Sequence, residues 1–425
     1  MSSPYQGYVY AYPHKSAYRP LNPRPRLADL WAEEKRNSLF LYVHIPFCEM
    51  RCGFCNLFTR TGAPEELVGA YLDALDRQAL AVQDALGPAR FALGAIGGGT
   101  PTYLSPAELD RLYGIVERFT DPRAVPFSVE TSPATATPDR LGVLADRGVH
   151  RISIGVQSFV DAEARAAIRP QRRAEVEKAL RHIRDSGVPV LNIDLIYGID
   201  GQTPETWRYS LDAALAWEPE EIYLYPLYVR PLTGLARTAR EWDDQRLTLY
   251  RRGRDHLLAA GYEQTSMRMF RRIRHEPTAY SCQGDGMVGL GCGARSYTGG
   301  LHYSFDYAVD ARQVRAIVDD FVRQPAFDHA EVGYRLDEED RRRRYLIQSL
   351  LQAEGVETAA YRELFGREAR TDLWEFTATG WIEPATGTTE DRVRLTPEGL
   401  AHSDAIGPAL FSPRVAALMT AHEAR

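Results

Sequence analysis

Lysine is nearly missing from this chain: of 425 residues only Lys15, Lys35 and Lys178 carry an ammonium group, and arginine takes its place. Positive charge is scarce altogether, 51 Lys and Arg against 57 Asp and Glu, for a net charge of −6. That excludes a nucleic-acid coat, which needs a basic face to neutralise phosphates. No run of 18 apolar residues occurs, so nothing reads as membrane-spanning. The start, MSSPYQGYVYAYPHKSAYRP, lacks the unbroken apolar core of a secretory signal. Cysteine is sparse too. Five is an odd number and a poor disulfide framework, with three crowded together and two far away at 282 and 292. That pattern fits a reducing compartment, the cytoplasm, and a metal or redox role.

What is present is an ordinary globular composition, 44% hydrophobic and 25% charged, enough to bury a large core. After a Tyr/Pro-rich segment (1–38), short apolar runs alternate with helical patterns. Strands are predicted over 40–45, 91–97, 126–131, 150–156, 189–198 and 221–227. Helices are predicted over 64–86, 105–119, 137–148 and 174–187, two of them opened by Ser105-Pro106 and Thr137-Pro138 as cap and first-turn residue. Strands rich in Val, Ile and Leu, each followed by a helix, argue for a parallel sheet buried on both faces. From about residue 330 the character changes. In YRLDEEDRRRRYLIQSLLQ each of Asp337, Glu338, Glu339 and Asp340 precedes an arginine by four residues, which predicts an exposed, ion-paired helix face. The order helix, strand, Gly-Thr turn, strand, helix that follows is that of a winged-helix unit.

The stretch FLYVHIPFCEMRCGFCN (40–56) holds Cys48, Cys52 and Cys55 on one loop directly after a strand. A structural zinc site wants four closed ligands, usually two pairs, and the next cysteine is over two hundred residues away. His44 is the only nearby fourth candidate. Inert buried thiols fit poorly beside Glu49, Arg51 and Asn56. Three thiolates suit an iron–sulfur cube with one iron left open.

The C-x3-C-x2-C spacing with Phe54 before the last cysteine, the stretch YVHIPFC, and then GGGTPTYL (97–104), SVET (128–131), ISIGVQSF (152–159), IRPQ (168–171) and NIDLIYG (192–198) fall in order. On these motifs the chain resembles the HemN-like, coproporphyrinogen-III-oxidase-like branch of the radical S-adenosylmethionine (SAM) superfamily. The resemblance runs from Tyr42 to about Arg295, more weakly beyond. It implies an α/β fold: a partial (β/α)6 barrel over residues 39–300 and a small α+β, winged-helix-like C-terminal domain over 301–425. The 1–38 segment is expected to lie over the active site. It implies a 4Fe-4S cluster on Cys48, Cys52 and Cys55. SAM would be held by Tyr42, Phe54, Gly98, Gly99, Thr100, Glu130, Gln157, Arg169 and Asp194, with a second SAM left open. An electron donor such as flavodoxin or ferredoxin and a small-molecule substrate follow as partners, with no nucleic acid and no membrane.

The reaction implied is reductive cleavage of SAM to a 5′-deoxyadenosyl radical that attacks a substrate C–H bond. Methylation or cyclopropanation of a small molecule is the leading expectation, then oxygen-independent coproporphyrinogen decarboxylation, then a haem- or cluster-binding carrier. The chaperone type's His-Asn-x-x-Tyr-Trp stretch is absent before the Gly-rich segment, and Asn56-Leu57 stands where decarboxylases have Gly-Cys. Arg268, Arg271, Arg272 and Arg274 are available to propionates or to solvent. On the substrate side the candidates are Cys282, Cys292, Tyr10 and His14, with Tyr8 and Tyr18 beside them.

Overall fold

The structure, a computed structural model, describes residues 3–169, 171–237, 244–272, 280–385 and 391–422. Thirteen strands form one sheet: β1 (Arg19–Pro20), β2 (Leu39–Ile45), β3 (Phe91–Gly98), β4 (Phe127–Thr131), β5 (Arg151–Gln157), β6 (Val190–Tyr197), β7 (Glu221–Pro226), β8 (Glu263–Gln264), β9 (Met269–Arg271), β10 (Met287–Leu290), β11 (Arg295–Tyr297), β12 (Leu301–Ser304) and β13 (Val332–Arg335). Their spatial order is β1-β13-β12-β11-β10-β2-β3-β4-β5-β6-β7-β9-β8, so the sheet has two free ends among the described residues. Strands β2 to β7 run parallel in chain order, and β10 joins them parallel to β2. This is a part-barrel with an antiparallel extension on each flank. All six predicted strands are present, within two residues at either end.

The crossovers are α1 (Glu65–Leu86), α2 (Pro106–Val116), α3 (Pro138–Asp146), α4 (Arg173–Asp185) and α5 (Pro204–Leu215). Ser105 opens α2 as predicted: its hydroxyl accepts from Glu108 N–H while the Glu108 carboxylate accepts from Ser105 N–H, a closed capping box. Thr137 precedes Pro138, but its hydroxyl donates to Asp139 in place of capping α3. Alternate residues of the central strands, such as Leu41, Val43, Ile152 and Ile154, are fully buried against these helices.

The expected boundary at residue 300 moves. Strands β12 and β13 belong to the main sheet, and α6 (Ala311–Arg323) packs Val314, Val318 and Phe321 into the barrel core. A second core gathers residues from Tyr334 to Val415 and takes in Tyr12, Ala17 and Tyr18 from the N-terminal segment. In it a two-stranded ribbon, Val356–Glu357 against Arg392–Val393, and a bridge between Ile382 and Leu395 stand among short helices.

Helix α7 (Glu338–Leu350) corrects another expectation. Of the four predicted i,i+4 pairs only Glu339–Arg343 forms among the described residues. Asp340 is buried and accepts from the hydroxyls of Tyr12 (2.7 Å), Tyr334 (2.7 Å) and Ser412 (2.9 Å). Arg344 is buried too, donating to the carbonyls of Cys282 and Asp285. The helix turns this face inward because the N-terminal segment covers it. Among the described residues no helix is long and apolar enough to cross a membrane.

Candidate functional site

The cysteine loop leaves β2 at the mouth of the part-barrel and is pinned at both ends. Phe47–Cys48 pairs in parallel with Arg60–Thr61, and Gly99 and Thr100 donate to the carbonyls of Ile45 and Phe47. In the middle, Gly53 N–H reaches Ala167 and Ile168 oxygens while Gly53 O accepts from Leu235. A side chain at Gly53 would meet Ile168 Cβ at 2.7 Å, so the loop passes where only glycine fits.

Each thiol faces a polar group. Cys48 Sγ lies 2.9 Å from Thr100 Oγ1, Arg169 Nη1 donates to Cys52 Sγ at 3.0 Å, and Cys55 Sγ is 3.9 Å from Thr59 Oγ1. Burial pushes the Cys48 thiol up to about 11 and raises that of Cys55 as well. These are not the lowered thiols of a nucleophile. They become thiolates only against a bound cation, and the hydroxyl and guanidinium donors are already aimed at the sulfurs. Among the described residues no three acidic, His or Cys side chains converge on one point as around a single ion. A cube asks for no such convergence, since each thiolate takes its own iron. The donor set therefore fits a three-thiolate iron–sulfur cluster.

Of the predicted SAM residues, Gly98 and Gln157 stand at the ends of parallel strands and Tyr42 and Asp194 mid-strand. Tyr42 lies on β2, Gly98 ends β3 at φ +117°, and Glu130 and Asp194 lie on β4 and β6. The glycines are required by the chain's own packing. A Cβ at Gly97 would strike the Glu130 carboxyl at 2.9 Å, at Gly98 the His44 ring at 2.6 Å, and at Gly99 the Phe47 carbonyl at 2.4 Å. Glu130 is open to the mouth but crowded by protein, which pushes its carboxyl up to about 7, while Gly98 N–H donating at 3.1 Å pulls the other way. Burial likewise raises Asp194 to about 6 against the amide of Asn192 at 2.7 Å. Gln157 sits at φ +70° beside a register shift in β5, strain of the sort found where a strand re-aims a side chain at a site. Arg169 spends its donors on Gly155 O, Gln171 Oε1 and Cys52 Sγ, fixing the cysteine loop to β5. Phe54 packs with Ala167, Ile196 and Leu235. Pro170 of the IRPQ motif lies outside the described residues, as do Arg274 and Ala279.

The substrate-side candidates separate. Tyr10 is exposed over the mouth, its ring 4.6 Å from the Arg295 guanidinium. His14 caps the Lys15–Ala17 turn, its Nδ1 2.8 Å from Ser16 Oγ, and burial pushes it down to about 3; it holds the segment's shape as a neutral ring. Cys282 is half-buried, its thiol raised by burial and 3.4 Å from Gln283 Oε1. Cys292 is withdrawn from the substrate side: fully buried against the Tyr71 hydroxyl, it is a core residue.

Three residues escape the sequence reading. His44, weighed only as a zinc ligand, lies between Gly98 and Gly293, either of which would hit it with a Cβ, and bridges Tyr42 Oη at 3.3 Å and the Phe58 carbonyl at 3.0 Å. Burial lowers it to about 4, so the neutral ring donates from Nε2 to Phe58 O and accepts the Tyr42 hydroxyl at Nδ1. Its two flanking glycines at positions 98 and 293 were visible as glycine runs. Arg295 and Lys15 had no signal beyond their charge.

Residues 42–214 match the radical SAM superfamily. Over 338 residues the chain is 27% identical to the heme chaperone HemW of Bacillus subtilis, covering 77% of this chain and 86% of that protein. It is 35% identical over 244 residues to the oxygen-independent coproporphyrinogen III oxidase of Paracoccus denitrificans, a match spanning 55% of this chain and only about half, 54%, of that one. Among solved structures, the HemN coproporphyrinogen III oxidase of Escherichia coli superposes with a TM-score of 0.80 at 23% identity, over 95% of this chain and 96% of the other, which speaks for the fold. With the three-cysteine loop at the mouth of a parallel part-barrel, residues 42–214 match the radical SAM superfamily, and the chain is similar to heme chaperones and oxygen-independent coproporphyrinogen III oxidases.

Proposed function

We propose that the protein is an enzyme that cleaves SAM reductively to modify a C–H bond of a small organic substrate. When bound, a 4Fe-4S cluster and SAM supply the electron and the 5′-deoxyadenosyl radical for that chemistry. The observation that carries the reading is the set of three thiols, each facing its own polar group, on a loop locked to the strand ends. The chain's own residues hold and shield. Cys48, Cys52 and Cys55 would ligate the cluster, while Thr100 and Arg169 donate to the first two sulfurs. Asp194, raised to about 6 and so mostly ionised at neutral pH, would accept from the hydroxyl-rich part of SAM, and Glu130, raised to about 7, would accept or donate there. Tyr8 and Tyr10 roof the mouth and keep water out. A flavodoxin- or ferredoxin-like donor, a cytoplasmic home and a second SAM belong to the same proposal.

Coproporphyrinogen decarboxylation is the second reading, favoured by the activity named for the Paracoccus denitrificans relative. Against it, the three described arginines of the four offered to propionates have acidic partners: Arg268 pairs with Asp404, Arg271 with Glu221 and Arg272 with Glu218. The test is anaerobic reconstitution, then SAM and dithionite with product analysis. Wild type should release 5′-deoxyadenosine and Cys52→Ala should not. S-Adenosylhomocysteine beside it marks methyl transfer, and CO2 from coproporphyrinogen marks decarboxylation. Protein that carries zinc and no inorganic sulfide would sink both readings.

A further inference from the structure

Two cations stand at the mouth without a carboxylate. Arg295, half-buried on β11, has its Nη1 shut off from solvent with no hydrogen-bond partner. The titratable groups around it are neutral tyrosines, Tyr10, Tyr297, Tyr18 and Tyr42. Lys15 holds its ammonium 3.4 Å over the ring of Tyr307, whose hydroxyl donates to Asn56 O, next to Cys55. Among the described residues no ion pair joins either cation to an acid, whereas Arg60, Arg151, Arg184, Arg268 and Arg342 each lie within 4 Å of a carboxylate. Each charge also depresses the other's neighbours: Lys15 is lowered by burial and then by Arg295, and His14 and His44 feel both.

A guanidinium nitrogen shut off from water with no partner costs stability, even on a half-buried arginine, unless something arrives to pair with it. The cluster thiolates lie on the Lys15 side. Among the described residues no acid answers Arg295. Resting on the function proposed above, we infer that Arg295 and Lys15 form a subsite for a carboxylate of the organic substrate, so that the enzyme acts on an organic acid. The free Nη edge of a planar guanidinium suits the two oxygens of a carboxylate, and Lys15 adds a point charge. The rings of Tyr10 and Tyr297 lie 4.6 and 5.8 Å from the Arg295 guanidinium and supply flat apolar surface beside it, which favours an acid with a ring beside its carboxylate. The amino-acid carboxylate of a SAM molecule has the same chemistry, and the experiment separates the two.

The scarcity of lysine makes the test direct. Reductive 13C-methylation of the reconstituted holoenzyme keeps the charge and labels Lys15, Lys35 and Lys178, of which the last two are exposed and serve as references. Indole-3-acetate should displace the Lys15 resonance saturably, with or without saturating SAM, while indole-3-acetamide should not. Arg295→Gln should weaken the acid's apparent affinity about tenfold or more, and Arg295→Lys should weaken it less. Equal response to the amide, no response to the acid, or loss of the response once SAM is present overturns the inference, the last by assigning the subsite to SAM. If Arg295→Gln does not fold, the contrast between acid and amide on unsubstituted protein still decides. 5′-Deoxyadenosine is measured in the same samples. Cleavage without a Lys15 response sinks the subsite alone, and a Lys15 response without cleavage sinks the proposed function alone.

Discussion

Replacing Asp404 by asparagine should destabilise the protein more than removing the charges of both Asp404 and its partner Arg268. The two side chains are 1% and 6% exposed, and Asp404 also accepts from the Tyr228 hydroxyl. Backbone amides of Gln6 and Gly7 donate to the Asp404 carbonyl, and the Arg268 guanidinium lies 3.8 Å from the Tyr8 ring. The pair thus ties the C-terminal body, the barrel and the N-terminal segment at one point. Two unit charges in contact attract by roughly 5 kcal/mol at an effective dielectric of about 20, and desolvation offsets much of that. What survives is the asymmetry. Asp404→Asn strands a buried guanidinium and should cost about 3–5 kcal/mol, and Arg268→Met, which strands the carboxylate, should fall in the same range. The double variant strands neither charge and should cost no more than the larger single, a coupling of about 2 kcal/mol or more. Urea unfolding followed by far-UV circular dichroism measures all four species. Additive single costs, with coupling below about 0.5 kcal/mol, would refute the reasoning.

Gly98→Ala forces a side chain into a φ of +117° and against His44, so it should cost about 1–3 kcal/mol in urea and lower the iron and sulfide retained on reconstitution. Tyr12→Phe removes one of three hydroxyls from the buried Asp340 carboxylate. A loss of about 1.5–3 kcal/mol is expected, together with proteolysis of the N-terminal segment ahead of the rest of the chain. Glu130, raised to about 7 in the folded apoprotein, keeps its proton longer than in the unfolded chain, so folding loses stability as pH rises from the ordinary carboxylate range to about 7 and levels off above. Glu130→Gln removes that loss, and its urea midpoint should gain on wild type between pH 5 and pH 8; a constant difference would contradict the assignment.

The parallel strands were legible because burial on both faces leaves runs dominated by Val, Ile and Leu between the turns, as in VLNIDLIY with only Asn192 and Asp194 charged or amide-bearing, and no partner strand is needed to read that. The flanking strands were not. Arg295–Tyr297 and Leu301–Ser304 are three and four residues long, and half-polar runs so short acquire an identity only from the strand they pair with. The same limit misplaced the boundary at 300, since the Gly-rich turn there joins two strands of one sheet instead of two domains.

Site residues divide along a similar line. Candidate ligands that share a loop are fixed by covalent spacing, so Cys48, Cys52 and Cys55 stand out in the sequence. Charge balance has no spacing. On helix α7 the i,i+4 rule predicts Asp340–Arg344, yet Asp340 is taken by hydroxyls from positions 12, 334 and 412, and Arg344 by carbonyls near 285. A local pair worth a few tenths of a kcal/mol in water yields to several buried hydrogen bonds, each worth about 1 kcal/mol or more. Lys15 and Arg295 are the converse case: 280 positions separate them in the sequence, and both come to the mouth of the barrel with no acid paired to them among the described residues. Arg169 and Arg344 donate to oxygens and a sulfur of the chain itself, so a guanidinium nitrogen that the fold leaves unanswered, as at Arg295, is where a ligand's charge fits.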